Sequence, residues 1–379
     1  MYFIPLIVLT LFTIIEIQGK DKRHYFFYVA FLFLTIAICL RYGQGTDYFG
    51  YMNVFLKRDH GEIGYTILQD VFGALGLPFE LLAAVIALFQ MLCIQRGIMK
   101  YSPYKLFSLL LMYPTIYLTY FFSAIRQGIV IAFFLGFMLE WLFEDKWLKY
   151  VIACIILATF HSSALVLLPL VIIKKIDNKM LWGGLGAAAL IGILLFFIPA
   201  EWLSFIKIGA VQYHIQAIEL SPLGLAERTV MFVMITYFYH KTRGNIQIIS
   251  EEQLRILYRI YFCGYILAVL FFPWQLLSSR MGAAMKAVEL ILIPVFACEE
   301  KQIRKYIVFF MTAYVLLMTT KNIQSYINQN NYEGYNVITY PYYSIWDKEE
   351  AKKVAPDMWE DMEMWIEMQE LQQMKQQGD

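Results

Sequence analysis

Apolar runs close to twenty residues long recur along the whole of this chain. Each is about the length a helix needs to cross the ~30 Å hydrocarbon core of a bilayer. They cover roughly residues 2–18, 24–40, 79–96, 106–121, 125–143, 181–199, 226–240, 255–273, 282–298 and 304–320, with a further apolar stretch at 149–173. Of 379 residues, 60% are hydrophobic and 16% charged, and the mean hydropathy is +0.56. A soluble fold of this size has no core large enough to hide so much apolar surface. The fold class expected is therefore an all-α polytopic membrane protein.

The stretch 149–173 decides the topology. It reads either as one long helix or as two short ones, 149–160 and 162–173, meeting at "FHSSA". Twelve α-helical residues rise only about 18 Å. Charge separates the two cases. The segments "QGKDKRH", "QRGIMKYSPYK", "EDKWLK", "KKIDNK", "KTRGN…EEQLR" and "KQIRK" should all be cytoplasmic by the positive-inside rule. Only the hairpin allows this, giving twelve crossings with both termini outside; a single helix gives eleven. "QGKDKRH" after the first run marks a retained span rather than a cleaved leader. The polar residues Arg41, Asp47, Glu62, Arg126, His161, Glu227, Arg228, Arg280 and the segment "YPYYSIW" then gather at the outer face. Residues 1–346 read as one membrane domain. Residues 347–379 form an acidic tail, with Met358, Trp359, Met362, Trp365, Ile366 and Met368 as a helical apolar stripe after Pro356.

Four arginines, Arg41, Arg126, Arg228 and Arg280, stand at outer helix ends, where positive-inside pressure acts against them. A guanidinium fork matches phosphate oxygens bidentately and stays charged, so a shared anionic ligand such as a diphosphate would account for the set. Each could equally be an interfacial anchor. Asp47, after "GQGT", is a candidate base or sugar ligand, or a turn cap. Tyr48 and Tyr51 are candidate sugar-stacking rings or interfacial aromatics. Glu62 is a second candidate carboxylate. His161, at the hairpin tip, is a candidate general base or a structural histidine. Lys286 and Glu289 stand three apart and are expected to pair. The five cysteines are scattered, and no acidic or Cys/His cluster has metal-ligand spacing, so no metal or other cofactor is expected. The net charge of +1 gives no reason to expect nucleic acid as a partner.

"LRYGQGTDYFGYMNVF", "EIGYTILQDVFGALG", "AIRQGIVIAFF", "FHSSALVLLPL", "ERTVMF" and "YPYYSIW", in that order, resemble the EpsG family of Wzy-type polysaccharide polymerases. The resemblance spans about residues 2 to 346. It implies a multi-pass enzyme of the bacterial cytoplasmic (inner) membrane with a GT-C-like architecture. Such an enzyme joins oligosaccharide repeat units carried on undecaprenyl diphosphate, as donor and acceptor, into a capsule, exopolysaccharide or O-antigen on the extracytoplasmic face. It also implies a flippase and a chain-length regulator as working partners, besides membrane lipids. Arg126 matches the functional arginine of IRQ, with Gln127 beside it. Arg41 and Asp47 match the first motif, His161 the His-Ser motif, and Tyr340 and Tyr342 the closing YPY. On this basis Asp47, His161 and Arg126 are the expected catalytic residues. Arg41, Arg228, Arg280, Tyr48, Tyr51, Glu62, Gln127, Tyr340 and Tyr342 are expected to bind substrate.

Two other readings stay open. One is an O-antigen-ligase-like or other lipid-linked-sugar glycosyltransferase, which would differ in its acceptor. The other is a non-enzymatic flippase, which needs charge along a central path, whereas the polar residues here crowd one set of helix ends.

Overall fold

The computed structural model describes residues 1–20, 23–57, 61–198, 220–329 and 335–354. Among them the secondary structure is helical throughout, apart from one isolated antiparallel bridge between Arg41 and Ser344. Five helices are long and apolar enough to cross a membrane: Phe79–Tyr101, Ile125–Phe143, Asn178–Phe197, Glu251–Leu270 and Arg304–Asn328. A sixth crossing is available if Gln275–Met281 and Ala283–Glu299, bent by 55° at Gly282, count as one. The chain is thus an all-α polytopic membrane protein. By length and composition the described helices give five or six spans, fewer than the eleven or twelve read from hydropathy. The remaining apolar runs form Lys105–Met112 with Tyr113–Phe121, the 21-residue Pro222–Thr242, and shorter apolar helices, among them Phe3–Ile17 and Tyr25–Cys39, of 15 residues each. An α-helix of that length rises only about 22 Å.

The stretch 149–173 is broken, not continuous. Trp147–Ala158 is α-helical, His161 is extended, and Ser162–Ile172 winds as a 3₁₀ helix containing Pro169. The two pieces pack on each other, and the Tyr150 hydroxyl donates to the Leu167 carbonyl at 2.8 Å. A 3₁₀ helix rises about 2 Å per residue. Its eleven residues therefore reach about 22 Å, further than the same residues in α geometry.

The chain divides into two compact units. Unit 1 comprises Met1–Leu92, Lys105–Ile129 and Phe309–Asp379, and unit 2 comprises Cys93–Tyr104 and Val130–Val308. In unit 1, Phe3–Ile17 and Tyr25–Cys39 pack on Lys105–Met112. Glu16 accepts from the Leu106 and Phe107 amides, at 3.0 and 3.2 Å, so a carboxylate satisfies the orphan N–H groups and the positive end of that helix. The chain then continues as a π-helix, Tyr113–Phe121, with Pro114 near its start. Carbonyls there take outside donors: Asn322 Nδ2 to Pro114 at 2.6 Å, and the Tyr326 hydroxyl to Leu118.

Unit 2 is organised around Glu251–Leu270, which opens with a Ser250/Gln253 capping box. It packs against Asn178–Phe197, Pro222–Thr242 and the segments of the bent pair. A Cβ on Gly282 would lie 2.7 Å from the Gly264 carbonyl oxygen, so the bend sits where two backbones touch. The Lys348–Val354 helix is tied to unit 1 by a Lys348–Glu80 ion pair. The expected apolar stripe of the tail lies outside the described residues.

Candidate functional site

Arg41 stands just past the Tyr25–Cys39 helix and begins a loop that reverses on Gly43 and Gly45, both at positive φ. Gly45, at φ +101°, has no room for a side chain, because a Cβ would lie 2.3 Å from the Phe122 carbonyl oxygen. The next amide, Thr46 N–H, donates to Ser123 Oγ at 3.0 Å. The "GQGTD" loop is therefore pressed onto the segment that leads into "AIRQ". Arg41 is part of this clamp. Its Nη1 donates to Ile38 O at 2.9 Å and its Nη2 to Phe122 O at 3.4 Å, while the guanidinium lies over the Phe122 and Tyr48 rings. At 3% exposure, Arg41 braces the loop. Gln44 is fully buried and accepts from the Tyr2 hydroxyl.

Asp47 closes the loop and opens the Tyr48–Lys57 helix: its carbonyl accepts from Tyr51 N at 3.0 Å. Its carboxylate is half-buried and accepts from Thr46 Oγ1 at 2.9 Å. Tyr48 is 2% exposed, wedged among Tyr42, Phe49 and Phe79. Its ring is packed in the core. Tyr51, one turn later, stays half-exposed.

Arg126 stands at the start of the Ile125–Phe133 helix. Its Nη1 pairs with Glu62 Oε2, and its Nε donates to the Tyr51 hydroxyl at 3.4 Å. Its guanidinium lies 5.2 Å from the Tyr51 ring centre and 5.6 Å from that of Tyr65, within cation–π range. Gly61 approaches so closely that a Cβ there would sit 3.4 Å from Nη1. Unit 1 thus brings together Arg126, Glu62 and Tyr51 from three separate sequence motifs, and leaves the ion pair partly open, with side-chain exposures of 32% for Arg126 and 23% for Glu62. Gln127, beside Arg126, is buried in the helix.

The closing motif returns to the first. Tyr42 N donates to Tyr343 O and Ile345 N to Leu40 O, both at 2.9 Å, so "YPYYSIW" lies antiparallel to residues 40–42. Tyr340 is buried and stacked on Tyr2, and the Tyr342 hydroxyl donates to Ala37 O. The turn is held by Asp347, which accepts from the Ser344 amide and hydroxyl at 2.9 and 2.6 Å. Those two donors keep the Asp347 carboxyl below its usual range.

The remaining expected residues belong to unit 2. His161, half-buried, precedes the 3₁₀ helix in extended geometry, its amide donating to Leu157 O at 2.9 Å. Arg228 Nη1 donates to Ser278 Oγ at 2.6 Å, and that hydroxyl donates on to Ala268 O at 2.9 Å. Arg280 lies in the last turn of Gln275–Met281. Lys286 pairs with Glu227 at 3.0 Å, a partner its sequence neighbourhood did not suggest. Glu289 is buried and carries a hydrogen bond with Tyr261. Of the four arginines, two lie in each unit, and in unit 1 both touch the Phe122–Arg126 junction or begin from it.

Several residues of the site were not singled out from sequence. Gln44 lies inside the first motif and Ser123 stands just before "AIRQ", and neither residue type by itself marks a site. Tyr65, whose buried hydroxyl has no partner among the described residues, and Gln90, whose Nε2 donates to Ile125 O at 2.7 Å, look like ordinary helix residues. Tyr326 comes from far along the chain to the same junction, within the electrostatic reach of both Arg41 and Asp47. Among the described residues no three His, Cys, Asp or Glu side chains converge.

No curated protein and no solved structure matches this chain. The family model described as EpsG family matches residues 24–342, which takes in the loop clamp, the Arg126 cluster and the closing tyrosines. The chain therefore belongs to the EpsG family, the family of Wzy-type polysaccharide polymerases.

Proposed function

We propose that the Arg126 cluster binds the diphosphate of an undecaprenyl-diphosphate-linked oligosaccharide and that the protein polymerises such repeat units on the extracytoplasmic face of the bacterial cytoplasmic membrane. The observation that carries this reading is the Arg126–Glu62 pair held beside two tyrosine rings. It is a fixed guanidinium whose present partner is a carboxylate at the end of a loop, and so one that an incoming phosphate can replace.

In the reaction, the acceptor hydroxyl oxygen attacks the anomeric carbon of the donor. The bond from that carbon to the phosphate oxygen breaks, and the lipid diphosphate leaves with the electron pair. Arg126 stabilises the charge growing on the leaving oxygen, a contribution of ~2.7–4 kcal/mol for a well-placed donor. The proton passes to a carboxylate of unit 1: Asp47 is one candidate, and Glu62, released from Arg126 by the diphosphate, is the other. The half-exposed Tyr51 offers a face to a sugar ring and a hydroxyl to the diphosphate.

The test is a glycan ladder run beside a membrane blot of tagged protein. Arg126→Lys keeps the charge but loses the planar fork, and should lower polymer strongly. Arg126→Ala should abolish the ladder, with single repeat units accumulating and the protein still in the membrane. A normal ladder from Arg126→Ala would sink the assignment.

The flippase reading draws on one feature, the helix broken at Gly282 beside Lys286, Glu227 and Glu289. Discontinuous helices with charge are where transporters bind. Under that reading Lys286→Met would stop translocation of the lipid-linked unit, and Arg126→Lys would not block bond formation.

A further inference from the structure

Unit 1 contains a cavity of about 380 Å³, within the roughly 300–1,000 Å³ range of ligand pockets. Its walls include Ile4, Phe33, Ile36, Ala37, Tyr117 and Trp346. The tyrosines on it present rings, because their hydroxyls are already used. Tyr117 donates to Leu34 O at 2.7 Å, Tyr113 to Tyr2 O at 2.7 Å, and Tyr342 to Ala37 O. Ile4, Phe33 and Ile36, on helices read as lying in the bilayer, and Trp346, in the closing motif, are exposed, so the mouth opens among apolar side chains. Phe122 also lines the cavity. It ties the cavity to the functional site: Arg41 lies 5.1 Å from its ring centre, its carbonyl takes an Arg41 hydrogen bond, and Arg126 follows one turn later.

An apolar cavity open to a membrane is filled by hydrocarbon. Bulk lipid is as apolar as its walls, so selection rests on shape and on what the chain's head group meets. A chain seated here has its head at the loop clamp. A phospholipid in that place would compete with the substrate for the same junction. We propose that this cavity seats the isoprene units nearest the diphosphate of the lipid-linked glycan, so that the tail delivers the head group to Arg126. The inference rests on the function proposed above for the diphosphate, and adds where the tail lies.

The experiment uses the full chain in phospholipid nanodiscs, with undecaprenyl diphosphate carrying a diazirine on an isoprene unit near the head group. A diazirine phosphatidylglycerol is the control probe, and binding of inorganic pyrophosphate is measured separately. The isoprenoid probe should label peptides from Tyr25–Cys39 and from residues 340–346, and unlabelled undecaprenyl diphosphate should compete. Ala37→Trp, and independently Ile36→Trp on the exposed rim, should each cut labelling at least about tenfold, as overfilling a fitted site does. Pyrophosphate binding should stay unchanged in both. Undiminished labelling in both variants, or equal labelling by the phospholipid probe without competition, overturns the proposal. Absence of pyrophosphate binding to the unsubstituted protein overturns the head-group reading instead, and the labelling pattern still decides the cavity.

Discussion

Units 1 and 2 each contain arginine, carboxylate, tyrosine and serine in contact with one another, yet they use them differently. In unit 2, Arg228 is bonded to Ser278, which is bonded to the Ala268 carbonyl, and Lys286 is paired across helices with Glu227. Those polar groups join helix to helix, and Tyr265 stacks on Phe232 with centroids 4.0 Å apart beside them. In unit 1 the junction is made by loops. Gly45 and Thr46 close onto Phe122 and Ser123, and Arg126 meets a carboxylate supplied by the turn before Ile63–Ala74. Under the function proposed above, the unit 1 pair is one that an incoming anion exchanges, and the unit 2 contacts hold helix to helix. Residue type alone does not separate the two cases.

The largest expected contrast is between Arg126→Ala and Arg228→Ala. The first should remove polymer while the protein accumulates. The second should lower the melting midpoint in detergent, through loss of a hydrogen bond to a charged group worth about 1.5–3 kcal/mol, with polymer falling only as protein falls. Loss of polymer from Arg228→Ala at an unchanged midpoint would erase the distinction between the units.

Gly45→Ala sharpens the comparison next. It places a Cβ against the Phe122 carbonyl at a φ that suits only glycine, a strain of about 1–3 kcal/mol. It should reduce the glycan ladder several-fold without touching any charged group. Gly244, also at positive φ but with open space around it in unit 2, provides the matched control, and Gly244→Ala should leave the ladder intact.

Glu62→Gln tests exchangeability itself. Removing the competing carboxylate should tighten pyrophosphate binding roughly tenfold while polymer output falls. Unchanged affinity would mean that Glu62 does not compete for the anion.

The smallest effect is at the turn closing on Arg41. Asp347 is held below its unfolded pKa of about 3.9 by Ser344. Its contribution is therefore present above that value and is lost as pH falls through the lower folded value. Exchange of the Ser344 amide should speed up over that acidic window, and Asp347→Asn should remove the pH dependence.

The membrane class was legible because apolar length is a property of consecutive residues. The break at His161 was legible for a related reason, since charge on the flanking segments constrains the path between them. Helix lengths and winding were not, because hydropathy does not distinguish a 15-residue helix from a longer one, nor α from 3₁₀ or π winding. Arg126 and Glu62 were both visible as candidates. Their pairing was not visible, because it depends on how residues 61–69 fold against 125–126. Tyr48 and Arg41 looked like surface chemistry and are buried.

The sequence alone determined that this chain lives in a bilayer, that its motifs follow the order of one family, and which side chains carry charge or hydroxyls. Those properties are written residue by residue and survive without knowledge of contacts. Only the tertiary structure decided that the first motif closes onto Phe122 and Ser123 on one side and onto the closing motif on the other, that Arg41 is a brace and Arg126 a paired, partly open cation, and that an apolar cavity shares Phe122 with the loop clamp. Contacts between residues far apart in the chain are set by packing and backbone reversal, and local pattern carries no record of either.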